Sequence, residues 1–429
     1  MRLPSTVFCY VLLVVTLLLS ALSGGLLFIA DYPVHAVLIQ LAALLPFLYA
    51  VRRCSSWQHA TVAGTSLGFA YAVLLGFALR FLHLPIFAVV GLGVYFALFF
   101  VTFALAVFTL WKRGPVLGSL AIAVVMVVLE IVDSHLPMWG TAQSFAHVWS
   151  TYPSAIRFIS LTGTPGVAFI IVASQALLFA AVVDRSTKAT WVFLGVVTVP
   201  IVFAFAPRPP TRSLRVAAMG WSEPSGPSSY ERLLVEASEK GARLVVSPEV
   251  AFDVPADGRP EFEHRFSNLA KQHEVYLAVS YFDHLHDDVR LAFFAPTGQV
   301  VGEYVKMHLV PLSENHRAGS GQLVFVDIDG VRVGAMICQD DNFTDIARHY
   351  KRAGAQLVVV PNYEWPEEVA PYHFENSLLR PIEFGYGLVR AAANGTSAIV
   401  SAGGKIVART NHNDVGASVI VADVEYPAP

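Results

Sequence analysis

Long apolar stretches separated by short polar ones make up the first half of the chain. They lie near residues 7–30, 34–51, 59–81, 85–111, 115–133, 158–183 and 190–206. Most approach the roughly 20 residues with which an α-helix crosses about 30 Å of hydrocarbon. The second and the last are short, so six or eight spans are alternatives to seven. We predict a polytopic α-helical membrane domain of about seven spans over residues 1–210.

From Leu214 onwards, short apolar runs alternate with amphipathic stretches, a pattern typical of a domain built from strands and helices. A proline-rich segment, 206–210, separates the two halves. Apolar runs that end near Ser247 and Ile337 have the length of buried strands. We predict helices over residues 230–240, 262–273, 346–352 and 373–393. The second half, 211–429, is therefore predicted to be one α/β domain with two sheets covered by helices.

The composition agrees with this division. The chain is 55% hydrophobic and only 14% charged, whereas about 25% of residues are charged in an ordinary soluble protein. The acidic residues before position 210 are Asp31, Glu130, Asp133 and Asp184. A net charge of −3 gives no indication of nucleic-acid binding. No motif for a metal, nucleotide or phosphate-binding loop occurs, and we predict no cofactor and no metal.

The basic residues between the apolar stretches predict the orientation. With the N-terminus in the cytoplasm, the cytoplasmic ends carry Arg2, Arg52, Arg53, Lys112, Arg113, Arg185 and Lys188, and the opposite short loops carry Arg80 and Arg157. This distribution follows the positive-inside rule. An odd number of spans then places the second half outside the cytoplasm. The first stretch could instead be a signal peptide, but its apolar run is long and lacks the usual small-residue cleavage site.

One loop between spans contains the sequence Pro137-Met138-Trp139-Gly140. Tryptophan at such a position is often an interfacial anchor in the headgroup region. Alternatively, Trp139 belongs to a segment that helps to form a lipid entry site beside the outer domain.

Three residues whose side chains could take part in catalysis follow apolar strand runs in the second half: Glu249, Lys306 and Cys338. A half-buried glutamate is a candidate general base, because loss of water raises its pKa. A nearby lysine can stabilise an oxyanion, and a cysteine can act as the nucleophile. Each residue also has an ordinary interpretation, as a turn residue, a solvated lysine or a packing cysteine. Their occurrence in three similar strand-end contexts favours a shared site.

The distribution of cysteines supports a chemical role for Cys338. The other two, Cys9 and Cys54, belong to the membrane half, so Cys338 has no partner for a disulfide within its own domain. Disulfides form readily in an extracytoplasmic compartment. An unpaired thiol there is better explained by a chemical function of the cysteine than by a cysteine kept without one.

The segments Pro248-Glu249, Lys306–Pro311 and Ile337-Cys338 resemble the Glu–Lys–Cys triad motifs of the carbon–nitrogen hydrolase, or nitrilase, superfamily. A multi-span half joined to such a domain is similar to the bacterial apolipoprotein N-acyltransferase family. The resemblance implies a nitrilase-like α-β-β-α sandwich on the periplasmic side of the inner membrane. It also implies transfer of a fatty acyl chain from a phospholipid to the N-terminal amine of a diacylglyceryl lipoprotein, through a thioester on Cys338.

The resemblance assigns further roles. Glu314 would be a second acid that orients Lys306 or Cys338, the alternative being a surface-loop residue. Aromatic residues would form loops over the lipid chains, where a thioester needs apolar cover against water. These residues are Trp221, Tyr363 and Trp365.

Two motifs depart from the family pattern. The usual Cys-Tyr-Glu is here Cys338-Gln339-Asp340, with a shorter carboxylate and no aromatic ring, and Asn-Asp-x-Trp-Phe is here Asn362-Tyr363-Glu364-Trp365-Pro366. The final span of the family pattern is also not found. These differences leave two alternatives open. One is a membrane-tethered amidase or acyltransferase with another donor or acceptor, and the other is a domain that only binds lipids or partners.

Overall fold

The computed structural model describes residues 5–32, 36–80, 85–137, 139–207, 209–222, 227–311, 313–364, 370–410 and 416–428. The chain forms two compact units. The helical unit comprises Met1–Asp133, Ser144–Trp149 and Ser154–Phe205, and the sandwich unit comprises Ser134–Gln143, Ser150–Pro153 and Ala206–Pro429. Parts of the sequence between the fourth and fifth long apolar helices therefore belong to the sandwich unit.

The helical unit contains nine α-helices in its described part. They are α1 Ser5–Asp31, α2 Val37–Gln40, α3 Leu45–Arg52, α4 Trp57–Ala78, α5 Ile86–Leu110, α6 Pro115–Ser134, α7 Ile159–Thr162, α8 Pro165–Val182 and α9 Thr187–Ala204. Among the described residues, six helices are long and apolar enough to cross a membrane: α1, α4, α5, α6, α8 and α9. The protein thus has the polytopic helical membrane domain that its hydrophobic pattern predicts. The count of seven spans stays a prediction.

The second predicted stretch, 34–51, is a broken helix. Its two pieces, α2 and α3, are separated by a turn at 41–44. The buried Gln175 satisfies the polar backbone there, since its side-chain oxygen accepts from Leu44 N at 2.7 Å and its side-chain nitrogen donates to Gln40 O at 3.1 Å. Interrupted helices in apolar surroundings need such internal partners. The side chain of Gln175 therefore stabilises the break between α2 and α3.

The sandwich unit is built on one extended set of strands. These are β1 Thr211–Trp221, β2 Leu244–Val246, β3 Phe252–Val254, β4 Tyr276–Asp283, β5 Asp288–Phe294, β6 Val300–Val305, β7 Val326–Ile328, β8 Val331–Ala335, β9 Leu357–Tyr363, β10 Gly387–Ala393, β11 Ala398–Val400, β12 Ile406–Arg409 and β13 Ala417–Pro427. The hydrogen-bonded order is β6-β5-β4-β2-β1-β10-β9-β8-β7. The covering helices are α10 Tyr230–Glu239, α11 Arg259–His273, α12 Thr344–Arg352 and α13 Ala370–Phe384.

Three apolar clusters define the layers of the sandwich. Alternate residues of β1 face opposite sides, as expected for a strand. Val216 and Ala218 belong to the central cluster, which joins strands from both halves of the sheet. Ala217 and Met219 pack in a second cluster with α10 and α11, and a third cluster lies under α12 and α13. This arrangement is the predicted α-β-β-α sandwich.

The predicted helix over 373–393 is wrong in its second half. Helix α13 ends at Phe384, and Gly385 follows with φ of 72°, a left-handed conformation that commonly terminates helices. The remaining residues form β10, which is buried throughout and pairs in parallel with β9. Tertiary pairing thus overrides the helix propensity of the alanines at 391–393. Strand β13, which pairs along all of β1, has no counterpart among the predicted elements.

Candidate active site

The three candidate residues follow the ends of three strands. Glu249 follows β2, Lys306 follows β6, and Cys338 lies just beyond β8, where it begins a 3-10 turn, Cys338–Asn342. Cys338 has φ of 48°. A non-glycine residue in this region costs on the order of 1–3 kcal/mol and persists only where its surroundings hold it. The thiol is thus presented by a constrained turn.

Lys306 joins two carboxylates at the centre of the site. Its Nζ donates to Glu249 Oε1 at 2.8 Å and to Glu314 Oε1 at 2.6 Å, and its side chain is fully buried. Burial alone would lower the pKa of Lys306. The negative charge of Glu249, together with that of Glu314, outweighs burial and raises the pKa of Lys306 above its ordinary value. The lysine is therefore cationic at neutral pH.

The environment of Glu249 suits a proton acceptor. Burial raises the pKa of Glu249, Lys306 opposes this rise, and Glu314 adds to it. The second carboxylate oxygen, Oε2, accepts the backbone N–H of Tyr363 at 2.9 Å. One oxygen is thus held by the lysine and the other by the end of β9, which fixes the orientation of the carboxylate.

The thiol of Cys338 is buried and protonated at rest. Burial raises the pKa of Cys338 well above its ordinary value, Glu249 adds to the rise, and Lys306 opposes it. The Sγ atom lies 3.9 Å from the carbonyl oxygen of Tyr363. Such a thiol becomes a nucleophile only when its proton is taken up by a nearby base.

Glu314 links Lys306 to the loop that follows it. While its Oε1 binds the lysine, its Oε2 accepts Val310 N at 2.8 Å. The side chain is 22% exposed, and it lies at the site rather than on a solvated loop. The structure thus brings together Glu249, Lys306, Cys338 and Glu314.

Asp340 connects the turn Cys338–Asn342, which we call the nucleophile turn after its candidate nucleophile, with the segment after β6. Its fully buried carboxylate accepts from Tyr304 OH at 2.8 Å, from His308 N at 2.7 Å and from Ile337 N at 3.1 Å. The sequence predicts a supporting or substrate-binding role, and these contacts hold two segments of the site together. Gln339 accepts Asn342 Nδ2 at 3.0 Å within the same turn.

A closed ring of polar side chains lies on the other side of the turn. His373 Nε2 faces Asp341 Oδ1 at 3.1 Å, and its Nδ1 faces Glu364 Oε1 at 3.1 Å. Arg390 binds Glu364, and its Nε donates to Ser377 Oγ at 3.1 Å. The Ser377 hydroxyl donates to Asp341 and closes the ring. We refer to these five side chains as the polar ring.

The polar ring sets two basic side chains, His373 and Arg390, beside the carboxylates of Asp341 and Glu364. Both nitrogens of His373 face carboxylate oxygens, Nε2 that of Asp341 and Nδ1 that of Glu364. Burial lowers the pKa of Arg390 to about 10, which leaves the guanidinium charged at neutral pH. Burial opposes ionisation of Asp341, but His373 and Arg390 hold its pKa below the ordinary value.

The polar ring connects the two walls of the site. Asp341 lies in the turn that begins at Cys338, and Glu364 directly follows Tyr363, which contacts both Glu249 and the thiol. The sequence prediction did not include the ring. The sequence nevertheless contained an indication of it, because Arg390 is the one charged residue of the otherwise apolar run 387–393, where a buried charge must be paired.

The segment 134–143, which contains Trp139, is bound to the nucleophile turn within the sandwich unit. The Thr141 hydroxyl lies 2.9 Å from Asn342 O and accepts Arg380 Nη2 at 2.6 Å. Gly140 has φ of 55°, and a Cβ atom there would collide with the carbonyl of Asn342. Trp139 itself is half-buried. This segment therefore supports the same turn as Asp340 and the polar ring.

The remaining predicted residues are not all at the site. Trp221 lies at the end of β1 and is buried among α10 and α11, in the core rather than in a loop over lipid chains. Asn362 is buried, and its carbonyl accepts Glu249 N at 3.2 Å. Tyr363 is 37% exposed at the end of β9. Trp365 lies outside the described residues. Within the described part of the chain, no group of three or more His, Cys, Asp and Glu side chains could hold a metal ion.

Comparison with known proteins agrees with both units. The model of the apolipoprotein N-acyltransferase N-terminal domain matches residues 23–177, and that of the carbon–nitrogen hydrolases matches residues 216–427. An apolipoprotein N-acyltransferase of Geobacter metallireducens is 30% identical over 205 residues, 41% of this chain and 39% of that protein. One of Rickettsia bellii is 24% identical over 453 residues, 94% of this chain and 89% of that protein.

Among solved structures, an amidase from Nesterenkonia sp. is 21% identical, with a TM-score of 0.45, and the match covers 49% of this chain and 90% of that one. The carbon–nitrogen hydrolase domain, the apolar helices and the relatives named as N-acyltransferases together support a membrane-bound acyltransferase with a nitrilase-like domain. The family models match both the helical unit and the sandwich unit, and the Rickettsia bellii relative aligns over both. The chain belongs to the apolipoprotein N-acyltransferase family.

Proposed function

We propose that the protein transfers a fatty acyl chain from a phospholipid to the N-terminal amine of a diacylglyceryl lipoprotein, through a thioester on Cys338. The observation that carries this proposal is the buried contact of Lys306 with both Glu249 and Glu314, beside a thiol in a constrained turn. The names of the relatives supply the reaction, acyl transfer to a nitrogen of an apolipoprotein. The phospholipid donor is what the sequence resemblance implies.

The first half-reaction forms the acyl-enzyme. Glu249 accepts the Cys338 proton, and the sulfur attacks the ester carbonyl carbon of the phospholipid. Lys306 and the backbone N–H after Cys338 stabilise the tetrahedral oxyanion. The C–O bond then breaks, Glu249 returns the proton to the leaving oxygen, and a lysophospholipid departs.

The second half-reaction moves the acyl chain to nitrogen. The neutral α-amine of the lipoprotein attacks the thioester carbon, and Glu249 takes a proton from the attacking nitrogen. The C–S bond breaks as the amide forms, and the proton returns to the sulfur. The division into two steps predicts ping-pong kinetics.

The buried charges explain how one carboxylate serves both steps. The raised pKa of Glu249 brings it closer to the pH at which proton transfer is efficient. Lys306 keeps its charge because Glu249 and Glu314 both bind it, so a cation is available whenever an oxyanion develops. Glu314 thus acts as a positioning residue for the lysine.

The proposed topology follows the sequence pattern. The sandwich unit lies outside the cytoplasm, on the periplasmic side of the bacterial inner membrane, where the acyl donor is a phospholipid of the bilayer. This assignment is supported by the distribution of basic residues between the apolar stretches.

The test uses two variants and a matched control. Membranes with Cys338→Ala or Cys338→Ser should transfer no labelled acyl chain from phospholipid to a diacylated lipopeptide. Cys54→Ala removes another free cysteine of the described chain and should retain transfer. Undiminished transfer by either Cys338 variant would exclude this mechanism.

A second candidate is an amidase or acyltransferase with a different donor or acceptor. It is favoured by the departure at Gln339-Asp340 and by the match of residues 216–427 to carbon–nitrogen hydrolases in general. The two functions differ in the group carried by Cys338. A long fatty acyl group supports the first function, and a small acyl group supports the second.

A further inference from the structure

A cavity of about 580 Å³ opens at one end of the helical unit. It is formed by the ends of α3 and α5, the start of α6 and the residue Asp184. Its floor is apolar and includes Val107, Phe108 and Trp111. Its rim is charged and includes Arg52 and Lys112. The volume lies within the range of about 300–1,000 Å³ that is usual for small-molecule sites.

The rim residues are held in place by polar contacts. Asp184 Oδ2 accepts the indole N–H of Trp111 at 3.1 Å, and Asp184 Oδ1 lies 3.5 Å from Arg52 Nη2. The Nζ of Lys112 lies 4.4 Å from the centroid of the Phe108 ring. Asp184 thus joins Arg52 of the rim to Trp111 of the floor, while Lys112 lies over the Phe108 ring. Both cations remain accessible, since Arg52 and Lys112 are exposed.

The surroundings of the cavity carry a strong positive charge. Among the described residues at 51–57, 110–116 and 183–189 there are six cations and one carboxylate, that of Asp184. The four cations outside the lining are Arg53, Arg113, Arg185 and Lys188. By the positive-inside rule, this is the end predicted to face the cytoplasm. An anion near this surface is attracted before it reaches the cavity.

We propose that this cavity binds the phosphate headgroup of an anionic phospholipid of the cytoplasmic leaflet. The phosphate would lie between Arg52 and Lys112, and the glycerol and first methylenes would contact Phe108 and Trp111. Basic pockets between membrane helices on the cytoplasmic side suit such headgroups. A zwitterionic lipid is disfavoured, because its ammonium group would meet the same cations. The apolar floor distinguishes the site from one for a soluble phosphate.

The test measures lipid retention by the full-length protein. Wild type and Lys112→Gln are reconstituted in nanodiscs of phosphatidylethanolamine with increasing phosphatidylglycerol, and bound lipids are counted by native mass spectrometry. We expect wild type to retain phosphatidylglycerol over phosphatidylethanolamine. Lys112→Gln should weaken that retention about fivefold, as expected for loss of one basic contact with an anionic lipid.

Lys188→Gln is the matched control. It removes an exposed charge at the same end of the unit, but Lys188 does not line the cavity. Retention should stay within about twofold of wild type, and both variants should keep the wild-type melting temperature. If both variants weakened phosphatidylglycerol retention equally, the lipid would be held by the general positive charge of this surface and not by the cavity, which would overturn the proposal. Equal retention of the two lipids, or displacement of phosphatidylglycerol by millimolar inorganic phosphate, would also overturn it.

Discussion

Removal of the Ser377 hydroxyl tests whether the polar ring positions the nucleophile. This hydroxyl donates to Asp341 and accepts Arg390 Nε at 3.1 Å. Ser377→Ala leaves a buried carboxylate oxygen and a buried guanidinium N–H without these partners. Hydrogen bonds to charged groups contribute about 1.5–3 kcal/mol each, so loss of these two should lower the unfolding free energy by about 3–6 kcal/mol.

The same substitution should reduce catalysis through the turn. Asp341 is part of the turn that begins at Cys338, whose φ of 48° must be maintained by its surroundings. A displacement approaching 1 Å of a reacting group costs about a hundredfold in rate. We expect kcat for acyl transfer to fall between about tenfold and a hundredfold, with KM little changed. The assay is steady-state transfer to a diacylated lipopeptide.

Ser401→Ala provides the matched control. Ser401 is also buried, and its hydroxyl accepts Glu425 N at 3.1 Å, away from the ring. Its loss should cost about 1 kcal/mol of stability and leave kcat unchanged. Equal kcat for the two variants, with Ser377→Ala destabilised as expected, would refute the positioning role of the ring.

Three further predictions concern the triad and its support. Because the pKa of Glu249 is raised and the base must be unprotonated, acyl-enzyme formation should disappear as the pH falls, with its midpoint above the ordinary value of about 4.3; an unchanged burst rate at pH 4 would contradict this. Lys306→Met should lower kcat by at least about a hundredfold in the transfer assay, and near-normal kcat would exclude oxyanion stabilisation by Lys306. Gly140→Ala should lower the melting temperature and kcat, because the added Cβ would collide with Asn342. Gly403→Ala is the control, since Gly403 also has a positive φ but has open space around it, and this variant should retain kcat. Equal losses of kcat in the two variants would contradict the steric explanation.

The strand ends of the site could be predicted from the sequence. Glu249, Lys306 and Cys338 each follow a run with the apolar character of a buried strand, and such ends meet at one region of the fold. The pairing of Lys306 with two carboxylates depends on where the chain after β6 folds back. Local periodicity contains no information about that path.

The polar ring could not be assembled from the sequence. Its members come from the nucleophile turn, the residue after β9, helix α13 and strand β10, which are distant in the chain. The prediction of one helix over 373–393 also placed Arg390 on the wrong kind of element. A charged residue inside an apolar stretch was nevertheless a signal that a buried partner had to exist.

In the membrane half, too, contacts between residues distant in the sequence could not be predicted. Apolar length identified the long helices, because span length is set by the bilayer. The break between α2 and α3 depends instead on Gln175, which is distant in sequence and supplies the missing hydrogen bonds. Gln175 was visible in the sequence as a polar residue in an apolar stretch, but its contacts with the break required the structure.

The central claim is that Cys338 carries a fatty acyl chain. The most direct measurement is intact-protein mass spectrometry of wild type and Cys338→Ala after incubation with a phospholipid and no acceptor. We predict a mass increase of one long fatty acyl group on wild type only, which peptide mapping assigns to Cys338 and which a diacylated lipopeptide removes. Absence of the adduct on folded wild type, or the same adduct on Cys338→Ala, would contradict the account.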